Sequence, residues 1–305
     1  MTTNFKLITF SIFMAFIALT VSSCKKEKIA DLGALPVLDF EAVSGTNPNN
    51  ITLVNTSPTA VIPYWRIGNS SILVNGDSAQ YSFVFAGTYK VTMFGIGHGG
   101  IDSITKDIVI AQSDLNACVG TQLGFITSCT TKKWKLNPEA GTYKVGDASP
   151  DAGNWWSSDA AEVTARACEF NDEYNFSFDA NGTFVYDNKG DFFGDGYLGD
   201  NSYSCQPSVN YTAVQAPWGS GTFQYSFTAN AGVNSLGQLT VIGLGAHIGL
   251  QKVRNGGEVT SSPATSITYD ILEMTQNAGG LGYDILKLGV NIGGDAWWSF
   301  TLRSY

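Results

Sequence analysis

Histidine is nearly missing from this sequence: His98 and His247 are the only two in 305 residues. A Ser-His-Asp set therefore has few ways to form, and neither His-Glu-x-x-His nor Gly-x-Ser-x-Gly occurs. Cys-x-x-Cys is also absent, and with it the usual spacing of a zinc site. Positive charge is scarce, 17 Lys and Arg against 26 Asp and Glu, for a net charge of −9. Phosphate binding needs a basic face, so nucleic acid is not an expected partner. No segment holds a helical period for long, which excludes a helical bundle. No apolar run is long enough to span a bilayer comfortably.

What is present begins with a leader. "MTTNFKLITFSIFMAFIALTVSSC" has a short polar start with Lys6, an apolar run from Leu7 to Val21 and then small residues, the pattern of a secretory signal. The end of that run, "VSSC", looks like a bacterial lipobox, in which Cys24 takes the lipid after residues 1–23 are removed. Loss of Lys6 would take the net charge one unit lower, to −10. "KKEKIADLGALP" then reads as a tether over 24–35, so the expectation is a soluble protein held at the outer membrane through a lipid anchor only.

Of five cysteines, four remain: Cys118, Cys129, Cys168 and Cys205. An even number in an exported chain argues for two disulfides. Three pairings are possible, and Cys118 with Cys129 plus Cys168 with Cys205 closes the shortest loops.

From Val37 onward short alternating runs ("VLDFEAV", "ITLVNTS", "IPYWRI", "AQYSFVF", "TYKVTMFGI", "SITKDIVIA") are closed by turn residues, the pattern of a small antiparallel sandwich. The stretch 36–112 resembles a PKD domain, an immunoglobulin-like module. Gly87 and Tyr89 of "FAGTYKVTMFGIGHGGIDSITKDIVI" carry that resemblance, and "YWRIGNSS" keeps Trp65 and Gly68 while losing the acidic residues usual there. Residues 113–131 read as a disulfide-clipped junction. From 132 to 305 hairpin cues continue, plainest in "YNFSF", "DANG", "TFVYD". The expected fold is all-β: a PKD-like sandwich followed by a larger antiparallel β-sandwich of jelly-roll, carbohydrate-binding-module-like type, with a closed antiparallel barrel as the open alternative.

Chemistry is harder to place. A glycosidase needs two carboxylates flanking one bond, and the neighbours Asp172 and Glu173 in "CEFNDEYNF" would face opposite ways on a strand. In "YDNKGDFFGDGYLGDN", Asp187, Asp191 and Asp195 are oxygen ligands of the kind calcium prefers, although solvated turns explain them as well. No other cofactor is expected.

The aromatics carry the strongest signal. Sugar rings stack on flat aromatic faces flanked by polar side chains, and seven Trp are available. Trp65 and Trp134 read as core. In "DAWWSFTLRS" alternation puts Trp298, Phe300 and Leu302 on the apolar face and leaves Trp297, Ser299, Thr301 and Arg303 on the other. Trp155 and Trp156 in "AGNWWSSD" cannot be separated in this way, and Trp218 sits in the turn "QAPWGSG". Trp155, Trp156, Trp297 and Trp218 are thus candidate platforms, with Asn154, Asp172, Glu173 and Arg303 as candidate polar partners.

The blocks "KKWKLNPEAGTYKVGD", "NWWSSD", "ARACEFNDEYNFSFDANGTFVYDNKGD", "GLGAHIGLQKVRNGGEV", "SITYDILEM" and "WWSFTL" resemble the C-terminal domain of Bacteroidota surface glycan-binding lipoproteins, the SusE/F-like proteins of β-glucan utilisation systems. That resemblance implies non-catalytic capture of a polysaccharide, a β-1,3-glucan such as laminarin, at the cell surface by a monomer. It also implies delivery to a TonB-dependent, SusC/SusD-like transporter complex. Two other functions compete with it: a divergent glycoside hydrolase acting on β-glucan, and an adhesion or structural lipoprotein without a glycan ligand, whose Trp pairs are all core.

Overall fold

The computed structural model describes residues 33–68, 73–200 and 202–305. The leader, Cys24 and most of the tether lie outside the described residues. Two compact units form: the described parts of 1–43, 52–80 and 89–108, and then 44–51, 81–88 and 109–305.

The N-terminal strands are β1 (Phe40–Ser44), β2 (Asn50–Asn55), β3 (Ile62–Ile67), β4 (Val74–Asn75), β5 (Ser78–Ser82), β6 (Gly87–Gly97) and β7 (Gly100–Ile110). They form a three-stranded sheet, β1-β2-β5, and a four-stranded sheet, β4-β3-β6-β7. Trp65 is buried as expected, edge-on to Phe40 at 5.3 Å, and its indole N–H donates to the Gly76 carbonyl at 2.8 Å. Both ends of the side chain are satisfied, so it packs without an unpaired polar atom.

The C-terminal strands are β8 (Thr131–Leu136), β9 (Tyr143–Gly146), β10 (Trp156–Ser157), β11 (Glu173–Ser177), β12 (Thr183–Asp187), β13 (Asp191–Phe193), β14 (Cys205–Pro207), β15 (Gly221–Thr228), β16 (Gln238–Ile242), β17 (Val253–Arg254), β18 (Gly257–Glu258), β19 (Ser266–Thr275), β20 (Ile285–Gly293) and β21 (Ala296–Ser304). The main sheet runs β10-β9-β21-β20-β19-β16-β15-β12-β11-β8, and β21 pairs with β8 as well. Strands β8, β11, β12, β15, β16, β19, β20 and β21 therefore close a ring in which each is paired with its predecessor. This is an up-and-down antiparallel barrel, the open alternative, and not the jelly roll: the pairing is sequential, without the crossovers that a jelly roll needs. Closure removes the sheet edges that an open sandwich would leave.

Alternation fills the lumen. Trp134, Tyr174, Phe176, Phe184, Tyr186, Leu239, Val241, Tyr269, Leu288, Trp298, Phe300 and Leu302 are all buried in one core. The segment 246–250 enters it too. Ile248 N–H donates to the Tyr269 hydroxyl at 2.8 Å, and Gly249 N–H donates to that of Tyr174 at 3.2 Å. Gly249 has φ +76°, and a methyl there would lie 2.4 Å from the Phe300 ring, so both the turn and the packing require glycine.

Both favoured disulfides are formed, Cys118–Cys129 and Cys168–Cys205. The first clips helix α1 (Gln122–Thr127), whose Ile126 packs into the barrel core and accepts the Trp134 indole N–H at 2.9 Å. The second ties helix α3 (Ala167–Phe170), which follows α2 (Ala160–Ala165), to β14. The long connections 137–172, 188–220 and 243–265 all leave the barrel at one end, together with the tight turn 294–295, and the shorter connections 178–182, 229–237 and 276–284 close the other.

Candidate functional site

The two tryptophan pairs meet across three strands. Register sets Trp298 opposite Val145 and Val145 opposite Trp156, so these three share the inner face. Trp156 packs edge-on to Trp298 at 6.0 Å, and Trp298 is 6% exposed. One position along, Trp297 pairs with Gly146, which puts its side chain on the outer face, while Trp155 lies in a bend just before β10, its N–H donating to the Val145 carbonyl at 3.1 Å one residue off the strand register. Trp155 is 56% exposed and Trp297 is half-buried. Two strand spacings separate their backbones, about 10 Å.

Gly146 makes room on the sheet for Asn154. A methyl there would come 1.9 Å from Asn154 Oδ1, so the Asn154 side chain lies over the glycine. Its amide is held from both ends: the Asp147 N–H donates to Oδ1 at 3.0 Å, and Nδ2 donates to Asp147 Oδ1 at 2.8 Å.

Along β21 the next outward residue, Ser299, is buried because the loop after β9 folds over it. Asp151 accepts from Ser299 Oγ at 2.8 Å, Lys287 Nζ at 2.8 Å and Lys144 Nζ at 3.2 Å. Partial burial raises the Asp151 pKa, but the bonds from Lys287 and Ser299 outweigh it and hold the carboxyl below the ordinary carboxylate value. Beyond this triad Thr301 opens onto a cleft of about 500 Å³ whose walls include Tyr283 and Leu281. Arg303 stands at that end, its guanidinium 5.4 Å from the Tyr283 ring centre and bonded to the Tyr305 hydroxyl at 2.8 Å.

Other expected partners lie elsewhere. Trp218 is not a platform: it ends a short 3₁₀ turn and is 2% exposed. Trp156 belongs to the inner face. Asp172 is 4% exposed and accepts from the Tyr186 hydroxyl at 2.7 Å, and burial pushes its pKa well up. Glu173 pairs with Lys133 at 2.9 Å, Lys189 at 3.0 Å and Lys135 at 3.5 Å. The structure does separate Asp172 from Glu173, as alternation requires.

The three aspartates suggested for calcium each engage protein donors instead. Asp187 pairs with Lys189 at 2.7 Å, Asp191 accepts from Asn171 at 3.2 Å, and Asp195 meets Arg166 at 2.8 Å and Lys252 at 3.1 Å. Among the described residues no group of three or more His, Cys, Asp or Glu side chains could hold a metal ion.

A second polar cluster caps the barrel mouth. Arg166 bridges Asp195 and Glu169, the latter at 3.2 Å, and lies 4.1 Å from the Phe193 ring centre. Burial pushes the Glu169 carboxyl up to about 7, with Arg166 opposing that rise. Trp298 Nε1 donates to Glu258 Oε1 at 3.3 Å, and Tyr197 donates to the same carboxylate. Glu169 is closed to solvent.

Residues the sequence did not flag are Lys144, Gly146, Asp151 and Lys287. Ser299 was legible as outward-facing. Nothing in the sequence showed that the 147–155 loop returns over it.

A quarter of the chain has counterparts among solved structures. In this stretch the chain is similar to PKD domains. It matches the PKD1 domain from the Vibrio cholerae metalloprotease PrtV over 26% of this chain and 100% of that one, at 23% identity and a TM-score of 0.23. The PKD1 domain of Vibrio anguillarum Epp matches over 26% and 96%, at 20% identity and a TM-score of 0.23. No family model matches the chain, and no curated protein does.

Proposed function

We propose that this protein is a non-catalytic carbohydrate-binding protein that captures a polysaccharide on the outer face of its barrel, by stacking on Trp155 and Trp297. The observation that carries the reading is an exposed indole, Trp155, beside the edge of β10 together with Trp297 on the outer face of β21, with Gly146 and the Asn154 amide that covers it on the strand between. Indole faces suit the apolar C–H faces of pyranose rings, and the Asn154 amide and the Asp151, Lys144 and Lys287 heads supply partners for hydroxyls. The buried carboxylates at the barrel mouth, Glu169 and Asp172, are engaged by Arg166, Tyr143 and Tyr186 and closed to solvent, which favours binding over hydrolysis. The SusE/F-like resemblance adds the finer expectation: a β-1,3-glucan, a chain lipidated at Cys24 and facing outward from the outer membrane, and delivery to a TonB-dependent importer.

Single-site affinity is expected between micromolar and millimolar, about 4 to 8 kcal/mol. Display of many copies on one surface would offset that weakness. Affinity electrophoresis against laminarin, mixed-linkage glucan, xylan and mannan is the test. Retardation by at least one, without release of reducing ends, is the expected result. Retardation by none overturns the reading, and release of reducing ends restores the hydrolase.

A further inference from the structure

We infer that the Trp155–Trp297 row is one end of a longer track for an uncharged polysaccharide, and that the cleft beside Thr301 is its other end. This rests on the carbohydrate-binding reading above. Outward positions of β21 follow one another from Trp297 through Ser299 and Thr301 to Arg303, a run of about 20 Å at strand rise. The surface along it changes character in order. Two indoles come first, then the Asp151–Lys144–Lys287 triad, then a cleft walled by Leu281 and Tyr283, whose ring is braced by Arg303. Alternating aromatic faces and fixed hydrogen-bonding heads is what successive pyranose rings require. The cleft volume lies in the range of small-ligand sites, and the cleft is open to solvent at its rim, where Leu281 is 68% exposed.

The charges choose the class of glycan. Both lysines along the track are held by Asp151, and Lys287 also meets Glu273 at 3.5 Å, while Glu139 lines the same cleft. With Arg303 at the far end, three cations face three carboxylates, so the track offers no surplus positive charge to a uronate or sulfate. An uncharged chain pays no such penalty, and its hydroxyls can use donors and acceptors alike.

The test is calorimetry of the protein with three uncharged oligosaccharide series, β-1,3-glucose, β-1,4-xylose and β-1,4-mannose, each from disaccharide to heptasaccharide, and with alginate oligosaccharides as the charged control. For the series that binds, affinity should climb at least tenfold from the shortest to the longest member, and alginate should not bind. Tyr283→Ala should abolish that climb and leave the shortest binding members unchanged, whereas Trp155→Ala should weaken every length. Should Tyr283→Ala lower the melting temperature, Leu281→Asp at the exposed rim carries the same comparison. Affinity that does not depend on length, with Trp155→Ala still damaging, overturns the track and leaves the platform standing. Binding of alginate as tight as that of the uncharged series overturns the assigned glycan class. No binding by any uncharged series overturns the carbohydrate reading itself.

Discussion

The lumen of the barrel and the outer face of β9 and β21 are built from the same residue types, and they do opposite things with them. In the lumen every aromatic has neighbours on both sides. Trp298 stacks with Phe300 and meets Trp156, Tyr174 stacks on Tyr186, and the tyrosine hydroxyls are consumed by Ile248, Gly249 and Asp172. On the outer face Trp155 has one side in water, and the polar groups beside it are fixed by loop contacts that still leave them partly open. An indole fully surrounded by its own chain stabilises a fold. One left exposed beside ordered amides and ion pairs has surface to give to a ligand.

The widest separation between the two regions should appear in tryptophan substitutions. Trp134→Ala and Trp298→Ala should each cost about 3–5 kcal/mol of stability by leaving a cavity. Thermal or denaturant unfolding measures this. Trp155→Ala should leave unfolding within about 0.5 kcal/mol of the parent, as exposed positions do. Its effect should fall on glycan binding instead.

The next largest effect concerns the covalent tie at the mouth. Replacing Cys168 and Cys205 together by Ser should cost about 3–4 kcal/mol from the chain-entropy estimate for a loop of this length, spanning a sequence separation of 37. Denaturant titration of the oxidised parent and the double variant reads the difference. Binding at the outer face should persist wherever the variant remains folded.

A smaller effect follows from His247, buried in the lumen with Nδ1 2.8 Å from the Gly245 carbonyl. Burial lowers its pKa to about 4, below the ordinary 6.5. Because the folded value is the depressed one, this stability is complete above pH 6.5 and is lost as pH falls toward 4. Glu169 runs the other way. Its folded value is raised to about 7, so its contribution is complete below pH 4.5 and declines as pH rises to 7. Melting temperature against pH should therefore fall less steeply on the acid side in His247→Phe, while Glu169→Gln should be less sensitive between pH 5 and 7 than the parent.

The smallest effect returns to the outer face. Asp151→Asn removes the carboxylate shared by Lys144 and Lys287, two partly exposed lysines whose pairing is worth about 1 kcal/mol or less. Stability should change little. Retardation by alginate should appear where the parent shows none, because two cations lose their neutralising partner.

Much of this was legible in strand alternation. "YNFSF" and "TFVYD" formed β11 and β12 with Phe176 against Phe184, and "DAWWSFTLRS" sorted its residues between faces, Ser299 included, although a loop covers that serine. In the turn between β11 and β12 Asp179 accepts from the N–H groups of Asn181 and Thr183, and Gly182 takes the left-handed conformation. The Trp155–Trp156 pair stayed ambiguous because β10 is two residues long, and only its pairing to β9 fixes which indole faces in. Helix α2 did carry a signal, Asp159 with Glu162 three residues on, and Asp159 accepts from the Glu162 N–H at 2.9 Å. Barrel closure was not legible. It depends on β21 pairing with β8 across most of the domain, a long-range register that local patterns do not encode. The same holds for Asp151, whose partners Lys287 and Ser299 are distant in sequence.

The most direct test of the central claim is affinity electrophoresis of the parent and of the Trp155→Ala, Trp297→Ala double variant in gels containing laminarin. The account predicts retardation of the parent, loss of at least nine-tenths of it in the double variant, and unchanged melting temperatures. Undiminished retardation of a folded double variant would contradict it.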